Sequence, residues 1–204
     1  MKFLVYSMAL LFVCYQPAFG DQDTQEVRAL VVERIDQVIE LIKDKTMDKG
    51  IRNDKIIGLV KPILDFDLMA KLSLGKKNWK KLTKPQRQEF SELFIEQLQD
   101  SFLEKLDLYT DEKVSYGEAK KLKKKIEVVT FLISKDSKIE IVYKFYKSKK
   151  KGWQAYDVMV IGVSFIQTYR TQFDAVIKKG GVESLLRNMK QKGQFKIPDK
   201  QETT

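Results

Sequence analysis

Histidine is missing from this 204-residue chain, and its one cysteine, Cys14, falls within the first twenty residues. Without an imidazole there is no base for a Ser-His-Asp or Cys-His nucleophile, and no ligand set for zinc or blue copper. Carboxylate-only catalysis stays open, because Asp and Glu together number 28. Arginine is also scarce, at six of the 38 basic residues. Base readout and bidentate phosphate clamps rest on arginine, so this balance argues against nucleic acid.

Long apolar runs are confined to the start. Lys2 supplies a positive end, Phe3 to Tyr15 an apolar core, and Ala18-Phe19-Gly20 a small-x-small site before Asp21. That is the pattern of a secretory signal peptide over residues 1–20, too short for a membrane span. A lipoprotein signal with Cys14 as the lipidated residue fits less well, because the preceding Val13 is branched where a small residue is wanted. Cleavage removes the only cysteine and leaves an exported chain with no disulfide. The apolar fraction of 43% then suits one globular domain over 21–193, with a disordered tail at 194–204.

Apolar residues at Val27, Leu30, Val31, Ile35, Val38, Ile39 and Ile42 predict an amphipathic helix over 24–46. Asp48 to Asn53 reads as a turn, with Asn53 capping a short helix that carries Ile56, Ile57 and Val60. Pro62 interrupts, and a helix over 67–74 ends at Gly75. Thr83-Lys84-Pro85-Gln86 is a capping box with proline in the first turn, opening a helix that carries Phe90, Leu93, Phe94, Leu98, Phe102 and Leu106. Strands follow over 113–119, 124–133 and 139–147, the last forming a hairpin with a strand from Trp153. Two helices, 164–179 and 182–190, flank Gly180-Gly181. Helices, then consecutive antiparallel strands, then helices make an α+β fold with one curved sheet.

The stretch from Trp153 to Phe173 switches from period two to helical spacing at Gly162-Val163-Ser164. Strict alternation puts Trp153, Ala155, Asp157, Met159 and Ile161 on one face, and Gln154, Tyr156, Val158 and Val160 on the other. Both faces are largely apolar, so the strand is covered on both sides or lines a cavity. Asp157 lies inside it, and a buried carboxylate costs several kcal/mol unless paired. Arg170 is the candidate partner, in a structural ion pair. The stripes Phe90, Phe94, Leu98, Phe102 and Phe165, Tyr169, Phe173, Ile177 taken alone are helix faces of a core. The net charge of +10 concentrates in lysine runs at 120–125 and 147–151. These either steer docking to anionic headgroups or an acidic partner, or are solvated strand ends, the simpler reading.

Read together, Phe66-Asp67-Leu68-Met69-Ala70-Lys71-Leu72-Ser73-Leu74-Gly75, Trp79, Thr83-Lys84-Pro85-Gln86-Arg87, Trp153, Tyr156-Asp157-Val158, Gly162-Val163-Ser164, Tyr169-Arg170, Phe173 and Gly180-Gly181 resemble one family. It is the toluene-tolerance, or MlaC-type, family of periplasmic phospholipid-binding proteins, and the resemblance runs from about Val27 to Lys190. It implies an NTF2-like fold with a deep apolar pocket between sheet and helices. It implies a periplasmic monomer without cofactor or metal, which carries phospholipid between an outer-membrane lipoprotein–porin complex and an inner-membrane ABC transporter complex, docking transiently at membranes. On that reading the pocket holds two acyl chains, and its wall candidates are Phe94, Leu98, Phe102, Val142, Val158, Val160, Phe165 and Tyr169, with Gly162 and Gly180-Gly181 as hinges. The alternative is an exported NTF2-like enzyme using carboxylates on a small hydrophobic substrate, with Asp157 central. An adaptor with a filled core is a third reading.

Overall fold

The computed structural model describes residues 22–109, 112–191 and 195. The expected signal peptide lies outside the described residues, as does all of the expected tail except Phe195. That residue departs from the expectation of disorder: it is buried, with its ring edge-on to Phe173 at 5.1 Å.

Helix α1 (Gln22–Lys43) buries Val27, Val31, Val38 and Ile42 along one stripe. Helix α2 (Lys49–Val60) starts earlier than its sequence suggests. Asp48, rather than Asn53, is the cap, accepting from the Gly50 and Ile51 amides at 2.8 and 3.1 Å. A carboxylate one residue outside the helix outcompetes an amide side chain four residues within it. Pro62 sits in a 3-10 turn (Lys61–Ile63), and Asp65 caps α3 (Phe66–Leu74) by accepting from the Leu68 amide. Gly75 ends α3 at φ 77°, a left-handed backbone that favours glycine, and α4 (Lys76–Lys81) starts at once in a new direction. Helix α4 is not among the helices that the sequence pattern predicts. The Thr83–Gln86 capping box opens α5 (Lys84–Asp107) as expected.

Five strands form an antiparallel meander in chain order: β1 (Lys113–Leu122), β2 (Lys125–Ile133), β3 (Lys138–Ser148), β4 (Gly152–Val160) and the short β5 (Val163–Ser164). Two bulges interrupt it. The first, between Tyr116 and Ala119, contains Gly117, where an added Cβ would lie 2.9 Å from the Val129 carbonyl oxygen. The second shifts pairing from Lys144↔Asp157 to Phe145↔Ala155 and leaves Tyr156 as the extra residue. Helix α6 (Phe165–Met189) closes the fold and is broken at Gly181, where φ is 75° and ψ −174°. Its two halves correspond to the two helices expected around Gly180-Gly181.

The buried apolar residues fall into three clusters. The largest is helical and joins α3, α5 and α6 through Met69, Leu74, Phe90, Phe94, Tyr169 and Phe173. The second seats Val27 and Val31 of α1 on Ile126, Val128, Phe145, Trp153 and Ala155 of the sheet. The third gathers Val38, Ile42 and Ile56, with Phe102, Leu103 and Leu106 against it.

Candidate functional site

The second bulge decides which side chains share a wall. Residues paired across antiparallel strands project to the same face of the sheet. The register therefore sets Ile126, Val128, Thr130 and Leu132 of β2 beside Phe145, Tyr143, Ile141 and Ile139 of β3. On β4, Ala155 pairs with Phe145, but beyond the bulge it is Val158 and Val160 that pair with Tyr143 and Ile141. Unbroken alternation assigns Trp153 and Val158 to opposite faces. The extra residue at Tyr156 corrects this: Trp153, Ala155, Val158 and Val160 all line the face that α1 covers.

This inner face has two unlike halves. Its lower half, from Ile126 and Val128 to Trp153 and Ala155, is filled by α1. In its upper half Leu132, Ile139, Ile141, Val158 and Val160 are partly accessible and belong to none of the three clusters. Tyr143 sits at the border, packed on the filled side, where burial pushes its phenol up and a hydrogen bond to Thr130 partly offsets this. An apolar sheet surface that its own helices do not fill is a surface for an apolar guest.

The sequence-predicted wall residues separate accordingly. Val158 and Val160 lie together on the free half. Val142 pairs with Val129 and Met159 on the opposite face, so it cannot share that wall. Phe94, Leu98 and Tyr169 are buried within the helical cluster, with the Phe94 and Tyr169 rings edge-to-face at 5.4 Å. Phe165 packs on that cluster's margin, and Phe102 on the third. Leu132, Ile139 and Ile141, which the alternation of β2 and β3 carries, share the free half with Val158 and Val160. Two surface clefts lie elsewhere: about 540 Å³ between α1 and α2, and about 440 Å³ beside Pro62 and Trp153.

The expected ion pair between Asp157 and Arg170 does not form. The Asp157 carboxylate accepts from the Ser164 hydroxyl at 2.7 Å and the Ile166 amide at 3.3 Å. It thereby holds the start of α6, where a negative charge is favourable. Arg170 instead donates from Nε to the Leu72 carbonyl at 2.9 Å, with Nη2 on the same oxygen. That carbonyl lies in the last turn of α3, at the end of the helix that favours a cation. The two side chains are anchors of separate joints, and Asp157 has no second carboxylate among its hydrogen-bond partners. Among the described residues no group of His, Cys, Asp and Glu is arranged to hold a metal, and no helix is long and apolar enough to cross a membrane.

The model of the MlaC protein family matches residues 32–191. The chain belongs to that family. The match takes in α2 to α6, every strand and most of α1. Among MlaC relatives, the intermembrane phospholipid transport system binding protein MlaC of Haemophilus influenzae is 24% identical over 146 residues. That alignment covers 69% of this chain and 65% of the relative, so the chain spans just under two thirds of that protein's length. In three dimensions the chain resembles the phospholipid-binding protein from Ralstonia solanacearum, solved in complex with a phospholipid. The TM-score is 0.69 at 25% identity, covering 80% of this chain and 94% of that one. The α+β architecture described above is thus shared with a phospholipid-binding protein of known structure.

Proposed function

We propose that the chain is a periplasmic phospholipid carrier, exported by the signal peptide over 1–20. It shuttles lipid between an outer-membrane lipoprotein–porin complex and an inner-membrane ABC transporter complex, and so maintains outer-membrane lipid asymmetry. The observation that carries this reading is the free apolar half of the inner sheet face, in a chain of the MlaC family. Leu132, Ile139, Ile141, Val158 and Val160 supply the acyl wall.

The energetics suit such a role. Each acyl methylene taken out of water is worth about 0.8 kcal/mol. Two chains with roughly thirty methylenes amount to a gross term on the order of 20 kcal/mol. Unassisted escape of lipid into an aqueous gap is negligible at that cost. A carrier needs no covalent chemistry, only apolar walls and an opening that tolerates a headgroup. The enzyme alternative has no support from the geometry of Asp157, whose carboxylate is engaged in starting α6.

Mass spectrometry of organic extracts from natively purified protein is expected to find phospholipid in near-stoichiometric amount. Clean extracts, together with no uptake from liposomes, would sink the proposal.

A further inference from the structure

The meander brings two of its turns to the same end of the sheet. Lys125 at the start of β2 pairs with Tyr146, and Ser148 at the end of β3 pairs with Gly152. The β1–β2 turn and the β3–β4 turn are therefore separated by two strand spacings, about 10 Å. One carries Lys123, Lys124 and Lys125, the other Lys149, Lys150 and Lys151, and all six are exposed. Lys125 lies over the Tyr156 ring at 4.5 Å, and among the described residues none of the six is in an ion pair.

Nearby carboxylates do not cancel the patch. Asp23 bridges Lys121 and Lys147, each at 3.0 Å, and both lysines hold its carboxyl below the usual range. Glu127 is engaged by Lys144 at 3.6 Å. Glu26 and Glu33 line the cleft on the α1 side with Lys151. Solvation explains lysines at strand ends, but it does not explain Leu122. This residue sits between Lys121 and Lys123 at the turn and is 50% exposed. An apolar side chain presented at the tip of a turn and ringed by cations matches a bilayer interface, where the leucine enters the acyl boundary and the ammonium groups meet phosphates. A folded acidic protein surface would leave that leucine against charge.

We propose that this end of the sheet is a docking surface for an anionic phospholipid bilayer, with Leu122 as its apolar tip. The surface is distinct from the free inner face. The proposal adds to the carrier reading the kind of membrane surface the carrier touches, and it can fail without it.

The test is flotation of the chain, freed of residues 1–20, with two kinds of vesicle. One is phosphatidylcholine alone; in the other phosphatidylglycerol replaces about a third of it. Binding is expected only to the anionic vesicles, and it should vanish at high salt. Reversing Lys123, Lys124, Lys149 and Lys150 to Glu should weaken binding at least about tenfold. Leu122→Ser should weaken it roughly fivefold and leave its salt dependence unchanged. Reversing the exposed Lys76, Lys77 and Lys80 of α4 should have much less effect. Equal binding to both vesicles, no binding to either, or loss from the α4 variant matching that from the turn variant overturns the proposal. No binding to either would reassign the patch to an acidic protein partner or to solubility. Phospholipid co-purifying with each variant is measured in parallel and should be unchanged, so failed docking is told apart from a failed carrier reading.

Discussion

The Ser164 hydroxyl donates to Asp157 at 2.7 Å and accepts from the Gln167 amide at 3.1 Å. One rotor thus ties the end of the sheet to the first turn of α6. The cap oxygen is oriented by the carboxylate, and the carboxylate's other oxygen takes the Ile166 amide.

Removing that carboxylate leaves the buried Ile166 amide unpartnered and the Ser164 O–H without its acceptor. Asp157→Ala is expected to cost about 2–3 kcal/mol, and Ser164→Ala about 1 kcal/mol, both by urea unfolding. The double variant should lose less than the sum, since the two groups act as one joint. Co-purifying phospholipid should persist in Asp157→Asn, whereas an Asp157-dependent enzyme would lose its turnover in the same variant.

Filling the free half of the inner face should block an acyl guest without harming the fold. Val158→Trp or Val160→Trp is expected to lower phospholipid per chain severalfold while shifting stability by less than about 2 kcal/mol. Val142→Trp, on the opposite face, should leave loading unchanged. Equal loading in all three variants would remove these residues from the wall.

Ile161 has φ 50° and Gly162 φ 76°, so the β4–β5 turn is of the kind that favours Asn-Gly. A β-branched residue there is strained, and it is also half exposed. Ile161→Asn is expected to stabilise by about 1 kcal/mol, read as a rise in thermal midpoint. If Ile161 stays because lipid transfer needs an apolar tip, the more stable variant will exchange lipid with liposomes more slowly.

Burial pushes the phenols of Tyr143 and Tyr169 up; a hydrogen bond to Thr130 partly offsets this for Tyr143, while the Tyr169 hydroxyl is buried without a hydrogen-bond partner among the described residues. A folded-state value raised above the unfolded one gives stability that is complete below about pH 10 and is lost as pH rises beyond it. Alkaline unfolding followed by circular dichroism should therefore coincide with the appearance of tyrosinate absorbance. Tyr143→Phe and Tyr169→Phe should each move the transition to higher pH.

Local signals with a stereochemical cause were legible in the sequence. Thr83, Pro85 and Gln86 place the start of α5 because capping is settled within four residues, and Gly75 and Gly181 mark ends that need positive φ. The wall was harder to read. Its membership turns on one extra residue at Tyr156, and a bulge is a decision made by strand pairing, which the alternation of a single strand does not record. Asp157 was rightly expected to have a partner. Charge alone nominated Arg170, while the actual partners are a hydroxyl and an amide brought close by a turn. Phe195 lay beyond the last periodic segment, so nothing local announced that the core would claim it.

Among the described residues, Leu64 is the one partly buried apolar side chain packed against both the helical cluster and the α1–sheet cluster. It also bridges to Ala155, and the neighbouring Asp65 amide donates to the Ala155 carbonyl at 2.9 Å. A molecule whose two largest cores meet at one side chain has a natural seam. Amide hydrogen exchange should then resolve two cooperative units, with the seam opening at a fraction of the global unfolding free energy. Either core could then loosen while the other keeps its packing, so the two need not melt together.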